Sequence, residues 1–214
     1  MMEDFGGRLA SVWSELRPTT RGLVERALQS ASVHPPNSTA SPVRNNIPNS
    51  QNAPYDARAD HELSRLLTAL DERAQESEGS LETEKSKQLR HIADTCAGVL
   101  QEKTRSAEVF AQLVRRADSK RDYVRIDSLA DALSGFAPSE ICELARSPDV
   151  VVRALANEAL AQFPTSILIG LLSDPVDSEI ARDALRRQAL DYGSEEARQI
   201  VNALAQVDAS NDDF

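Results

Sequence analysis

Two stretches of the chain repeat each other. "IDSLADALSGFAPSEICELARSP" runs from Ile126 to Pro148, and "VRALANEALAQFPTSILIGLLSDP" runs from Val152 to Pro175. Leu129-Ala130 matches Leu155-Ala156 at an offset of 26, while Leu133, Phe136 and Pro148 match Leu160, Phe163 and Pro175 at 27. Each copy reads as a longer helix, a Phe-containing turn, a shorter helix led by Pro138 or Pro164, and an acidic turn with a second proline. A weaker third copy sets "LRRQAL", Leu185–Leu190, against Leu155–Leu160 at an offset of 30, and Ser194 can cap its second helix, "SEEARQIVNAL". One helix pair cannot hide its own apolar face, so self-similarity at this period calls for stacked neighbours that do. Alanines at 130, 154, 156 and 159 permit close helix approach, and Leu and Val fill the layer between pairs.

The rest of the chain agrees with an all-α fold. Of 214 residues 41% are hydrophobic but only 4% aromatic, so the core must come from Leu, Ala, Val and Ile, and the first two favour helices. Residues 1–31 carry an amphipathic helical pattern. Phe5, Leu9, Val12, Trp13 and Leu16 share one face, Pro18 interrupts, and Leu23, Val24, Ala27 and Leu28 resume it. Three readings follow: a helix docked on the body, a helix that anchors a protein partner through Phe5, Leu9, Trp13 and Leu16, or a membrane-surface helix. The acids Glu3, Asp4 and Glu15 dilute Arg8 and Arg17 and weigh against the third. Residues 32–55 form a Pro/Asn/Ser-rich segment, "VHPPNSTASPVRNNIPNSQNAPY" from Val33, which buries too little apolar surface to order itself and is expected to be a flexible linker.

Residues 56–117 are expected to form a helical hairpin. Leu63, Leu66, Leu67, Leu70 and Ala74 make the stripe of its first helix, which Asp56 or Asp60 can cap. The acidic turn "ESEGS" follows. Leu89, Ile92, Cys96 and Val99, then Phe110, Leu113 and Ala117, carry the pattern onward past an interruption at Lys103 and Ser106. Residues 118–208 hold the repeats, and 209–214 are expected to be a disordered acidic tail. Cys96 and Cys142 sit within apolar helical patterns and read as buried free thiols. His34, His61 and His91 lie apart and do not suggest a metal site, so no metal or other cofactor is expected.

The "SPDVVVRALANEAL" piece resembles the D-P-x-x-V-R-x-x-A-x-x-A-L unit of the HEAT-repeat superfamily, in its short bacterial forms. Asp149, Val152, Arg153 and Leu160 occupy the typical positions. The proline-led second helix in "FAPSEICELARSPD" is similar to the related leucine-rich-repeat variant. The resemblance covers about residues 121–207. It implies a short right-handed α-solenoid of HEAT-like helix pairs, preceded by the hairpin and a tethered N-terminal helix. It also implies that Asp149 and Arg153 bridge successive repeats. The first copy departs from the pattern, with Asp127 where Arg153 stands in the second.

The net charge of −10 gives no global positive field for nucleic acid. No stretch approaches the length of a membrane span, and the acidic N-terminus does not read as a secretion signal, so a cytoplasmic location is expected. A Gly-rich phosphate loop, a nucleophile motif and a clustered His/Asp set are all missing, so the chain is not expected to be an enzyme. One basic cluster stands out at the join of hairpin and repeats: Arg115, Arg116, Lys120, Arg121 and Arg125, with Tyr123 among them. It reads either as a nucleic-acid patch with a stacking ring or as a solvated turn balanced by Asp118, Asp122 and Asp127. Two functions follow. One is a non-enzymatic protein–protein scaffold or adaptor, whose groove is built by the second helices near 139–146, 166–173 and 194–206, with an optional N-terminal docking helix. The alternative is a nucleic-acid-associated protein working through residues 115–125. On the first view, deleting residues 1–55 leaves the helical body folded.

Overall fold

The structure, a computed structural model, describes residues 6–33, 55–76 and 83–211. Among them the chain is all-helical, with eleven α-helices, one 3-10 turn and no strand. Phe5, His34, residues 34–54 of the expected linker, 77–82 of the acidic turn, and 212–214 of the tail lie outside the described residues. The chain divides into two compact units, Met1–Thr104 and Arg105–Phe214.

In the first unit, α1 (Gly7–Glu15) and α2 (Pro18–Val33) precede the helix pair α3 (Ala57–Glu76) and α4 (Thr83–Lys103). Helix α1 packs on α3, and α2 packs mainly on α4. Pro18 ends α1 and starts α2, because its missing N–H costs nothing in a first helical turn. The stripe Leu63, Leu66, Leu67 and Leu70 faces Leu89, Ile92, Cys96 and Leu100, and all are buried. Leu9, Leu16 and Val24 close the core from the N-terminal helices. Asp56 caps α3 by accepting hydrogen bonds from the backbone N–H groups of Arg58 and Ala59, both at 3.1 Å. Asp60 instead lies buried and accepts from the Tyr55 hydroxyl at 3.0 Å.

A polar clamp ties the α1–α2 junction to α3. Glu62, buried on α3, accepts from the Thr20 hydroxyl (2.6 Å), the Arg17 backbone N–H (3.2 Å) and the Arg17 guanidinium (2.8 Å). Arg17 also reaches Asp56 at 2.9 Å. Burial alone would push the Glu62 carboxyl up. The Thr20 and Arg17 hydrogen bonds outweigh burial and hold it below the usual carboxylate value. Thr20, a capping residue by type, therefore serves a tertiary contact.

The second unit holds α5 (Ala107–Ser119), α6 (Tyr123–Ala132), the 3-10 turn Leu133–Gly135, α7 (Pro138–Ala145), α8 (Val150–Ala161), α9 (Thr165–Leu171), α10 (Ser178–Leu190) and α11 (Glu195–Asn211). The expected hairpin over 56–117 is thus cut at 104–106. Its last helix, α5, packs on α6, α7 and α8 in the second unit. Ser106 precedes α5 but makes no side-chain cap. Glu140 of α7 accepts from the Ala107 N–H at 2.8 Å and supplies that cap across the fold. Phe110 and Phe136 meet edge to face with centroids 5.3 Å apart.

Packing is most extensive between α7 and α8 and between α10 and α11; α8 also lies on α10, and α7 touches α9. The tight partner of α8 is therefore the helix before it, across the acidic turn, and not the helix after the Phe-Pro turn. Burial follows the aligned register of the two similar stretches only in part. Leu129 is buried where its aligned Leu155 is half-buried, and Leu190, aligned with buried Leu160, is 82% exposed. Buried positions coincide at a shift of 27 for Leu129/Ala156, Leu133/Leu160 and Ile141/Leu168. They coincide at 29 for Ala156/Leu185 and Leu160/Ala189. The mismatch has a simple cause: Leu190 ends α10, one step past the inward position that Ala189 fills.

Asp149 caps α8 through the N–H groups of Val151 and Val152 (2.9 and 3.1 Å), and Arg153 donates to the Ser147 and Pro148 carbonyls (2.8 and 3.3 Å). Both act within one turn. The bridge between turns comes from Arg146, which pairs with buried Asp177 at 2.7 Å and donates to the Val176 carbonyl. The last described residues of the expected tail, 209–211, belong to α11.

Candidate functional site

Helices α6 and α8 leave an open cleft of about 390 Å³ between them. That size lies within the roughly 300–1,000 Å³ of ligand-binding clefts. Ala130, Leu155, Ala159 and Phe163 form its half-buried floor. Asp131 and Ser134 from one wall, and Glu158 and Gln162 from the other, form its exposed rim. The spacing explains the arrangement. Leu155, Glu158, Ala159 and Gln162 are three and four apart, so one side of α8 faces the cleft while Val152, Ala156 and Leu160 face the core. The cleft is lined by α6, the 3-10 turn and α8 with its following turn, a different place from the groove expected near 139–146, 166–173 and 194–206.

Glu158 is held in place. Its Oε1 accepts from the Tyr192 hydroxyl and from Gln162 Nε2, the latter at 3.0 Å. The Tyr192 bond first, then the Gln162 bond, hold the carboxyl below its usual value, with Arg187 adding a through-space contribution. Just after Tyr192, Gly193 at φ 66° turns the chain beyond α10. The contact with Glu158 pushes the Tyr192 phenol above its ordinary value. No described residue donates to Glu158 Oε2 or pairs with the Asp131 carboxylate.

The residues singled out in the sequence fall differently. Leu9 and Leu16 are only 2% and 4% exposed in the first unit's core, so they are not offered to a partner, and Trp13 is half-buried beside them. The basic cluster does not form one face. Arg116 is 8% exposed and turned inward on α5, whereas its neighbour Arg115 is exposed and donates to the Ala111 carbonyl. Successive helical residues diverge by about 100°. Lys120, Arg121 and Tyr123 are exposed at the α5–α6 turn, and Arg125 is half-buried.

Arg121 sits at φ 55°, the left-handed position of a helix-ending turn in which Asp122 N–H reaches the Ala117 carbonyl and Arg121 N–H the Asp118 carbonyl, both at 2.9 Å. A side chain there costs roughly 1 kcal/mol. Arg121→Gly is therefore expected to stabilise the protein by roughly 0.5 kcal/mol once the extra chain entropy of glycine is subtracted. Urea unfolding checks this; a lower midpoint for the variant would contradict it.

Cys96 and Cys142 are both free and buried. Burial first, then nearby Asp177, pushes the Cys142 thiol up to about 11. Neither thiol is expected to react with an aromatic disulfide reagent within minutes at pH 8, and both should titrate after denaturation. Rapid labelling of the native protein would show that the core opens. Among the described residues no group of three or more His, Cys, Asp or Glu could hold a metal ion, and no helix is long and apolar enough to cross a membrane.

An all-helical chain of two compact units, one with an acid-rimmed cleft on its surface, is the class that fold and site define. Compared with protein-family models, with curated proteins and with solved structures, the chain finds no match.

Proposed function

We propose that this chain is a non-enzymatic protein-interaction scaffold, and that its second unit is a short α-solenoid of HEAT-like pairs which presents a helical surface to a protein partner. The observation that carries the reading is the α6–α8 cleft, whose apolar floor is left half-exposed between the two helices. Half-buried Leu and Phe side chains flanked by polar groups suit a partner's side chains better than solvent. Recurrence of buried positions near every 27–29 residues supports stacked pairs. The N-terminal docking helix drops out of the reading, since its face is used within its own unit.

Site-specific photocrosslinking tests the function. A benzophenone residue at Gln162, on the cleft rim, is expected to capture a discrete protein in cells that make this chain. The same residue at Glu108, exposed on α5, is expected to capture little. Capture only of nucleic acid, or equal labelling from both positions, would overturn the scaffold reading.

A further inference from the structure

The geometry points to a basic amphipathic peptide segment, with an Arg or Lys beside an apolar side chain, as the occupant of the α6–α8 cleft. This rests on the protein-binding reading and deepens it. The argument is one of charge and shape. Asp131 stands on one rim and Glu158 on the other, with the apolar floor of Leu155 and Phe163 between them. The lining residues include no cationic side chain, although Arg187 of α10 acts on Glu158 through space.

Glu158 is pre-oriented for such a partner. Both of its donors, Tyr192 and Gln162, use Oε1, which orders the carboxylate of this cleft-lining residue and leaves Oε2 without a donor among the described residues. A guanidinium or ammonium entering there meets an acceptor whose rotamer is already ordered, so less side-chain entropy is lost on binding. A carboxylate-bearing segment would meet two like charges. The floor, built from Ala and single large side chains, leaves room for one apolar anchor at helical spacing from the cation. An occupant of this chemistry satisfies both the floor and the rim, whereas an all-apolar segment would cover Asp131 and Glu158 without pairing them.

A randomised 14-residue peptide library selected against the full chain tests the inference. Enriched peptides are expected to place Arg or Lys three or four residues from Leu, Ile or Phe. Their binding should weaken about tenfold in the double variant Glu158→Gln/Asp131→Asn and should fall with added salt. The rim is exposed, so these variants are expected to fold, and their circular dichroism confirms it. Enriched peptides without basic residues, peptides that bind the double variant equally well, or peptides whose crosslinks map to exposed Val150 and Val176 would each overturn the basic-segment inference. None of these would touch the scaffold reading, which the Gln162 crosslink judges separately. Failure to enrich any peptide would also overturn the inference.

Discussion

Replacing Gln188 by leucine is expected to destabilise the second unit by roughly 2–3 kcal/mol, a fall in melting temperature on the order of 10 °C for a unit of this size. Gln188 is a buried polar residue on the inward face of α10, 6% exposed. Its Nε2 donates to the carbonyls of Ala161 (3.1 Å) and Phe163 (2.6 Å), and its Oε1 accepts from Thr165 Oγ1 (3.3 Å). These groups are the loose ends of the α8–α9 turn. A helix leaves its last carbonyls without partners, and here the next long helix supplies the donor. Leucine matches the volume but strands the carbonyls, and stranding a buried acceptor costs more than a typical hydrogen bond gains. Glutamate would restore an acceptor and no donor, so Gln188→Glu should be at least as damaging. Thermal melts followed by circular dichroism decide the matter. A shift below about 2 °C for Gln188→Leu would mean that the turn closes without it.

Glu62→Ala carries the second large effect, roughly 2 kcal/mol from the first unit. The dominant loss is the acceptor of the fully buried Thr20 hydroxyl. The Arg17 guanidinium is 30% exposed and partly hydrated, so the ion pair itself adds little. The clamp also sets a pH dependence. The folded-state pKa of Glu62 lies below its ordinary value of 4.5, so the unfolded chain binds more protons near that pH. The stabilisation is complete above the unfolded value and is lost as pH falls through the folded one. Asp56, held down by the Ala59 N–H and by Arg17, acts in the same direction. Trp13, the single tryptophan, lies on α1 and reports this unit by its emission. The wild type is expected to lose Trp13-monitored stability steeply below pH 4.5, and Glu62→Gln to show a shallower loss from a lower starting point. Equal acid sensitivity of the two proteins would remove Glu62 from the account. The same contacts bear on truncation. Deleting residues 1–55 removes Leu9, Leu16 and Val24 from the core and Arg17 and Thr20 from Glu62, so the first unit is not expected to survive it, contrary to the expectation from sequence.

Much of the helical architecture was legible in advance. The stripe at 63–74 and the break at Pro18 mark helices by periodicity and by proline, and the structure has α3, α1 and α2 there. Asp149, expected to bridge successive repeats, instead caps α8, a role its residue type favours at a helix start. The self-similarity was legible, and its match of Leu133 with Leu160 agrees with burial, but it was off by one residue at Leu129-Ala130 and in the comparison with Leu185–Leu190. A sequence alignment matches leucine with leucine, whereas the fold buries whichever residue faces inward, so Ala156 stands beneath Leu129 and Ala189 takes the place first given to Leu190.

The cleft was not legible. Asp131 and Glu158 are ordinary exposed acids until α6 and α8 come side by side, and the Tyr192 contact spans 34 residues of chain. What the sequence by itself determined were the local properties: which segments are helical, where they stop, and which positions are apolar. These depend on side chains within one or two turns of each other. Tertiary structure alone decided that Leu9 and Leu16 serve the core and not a partner, and that Arg116 turns inward. It also decided that Glu140 and Gln188 satisfy helix ends far away in the chain. Those outcomes depend on burial and on backbone groups left unpaired at helix ends, and neither quantity exists until the helices pack.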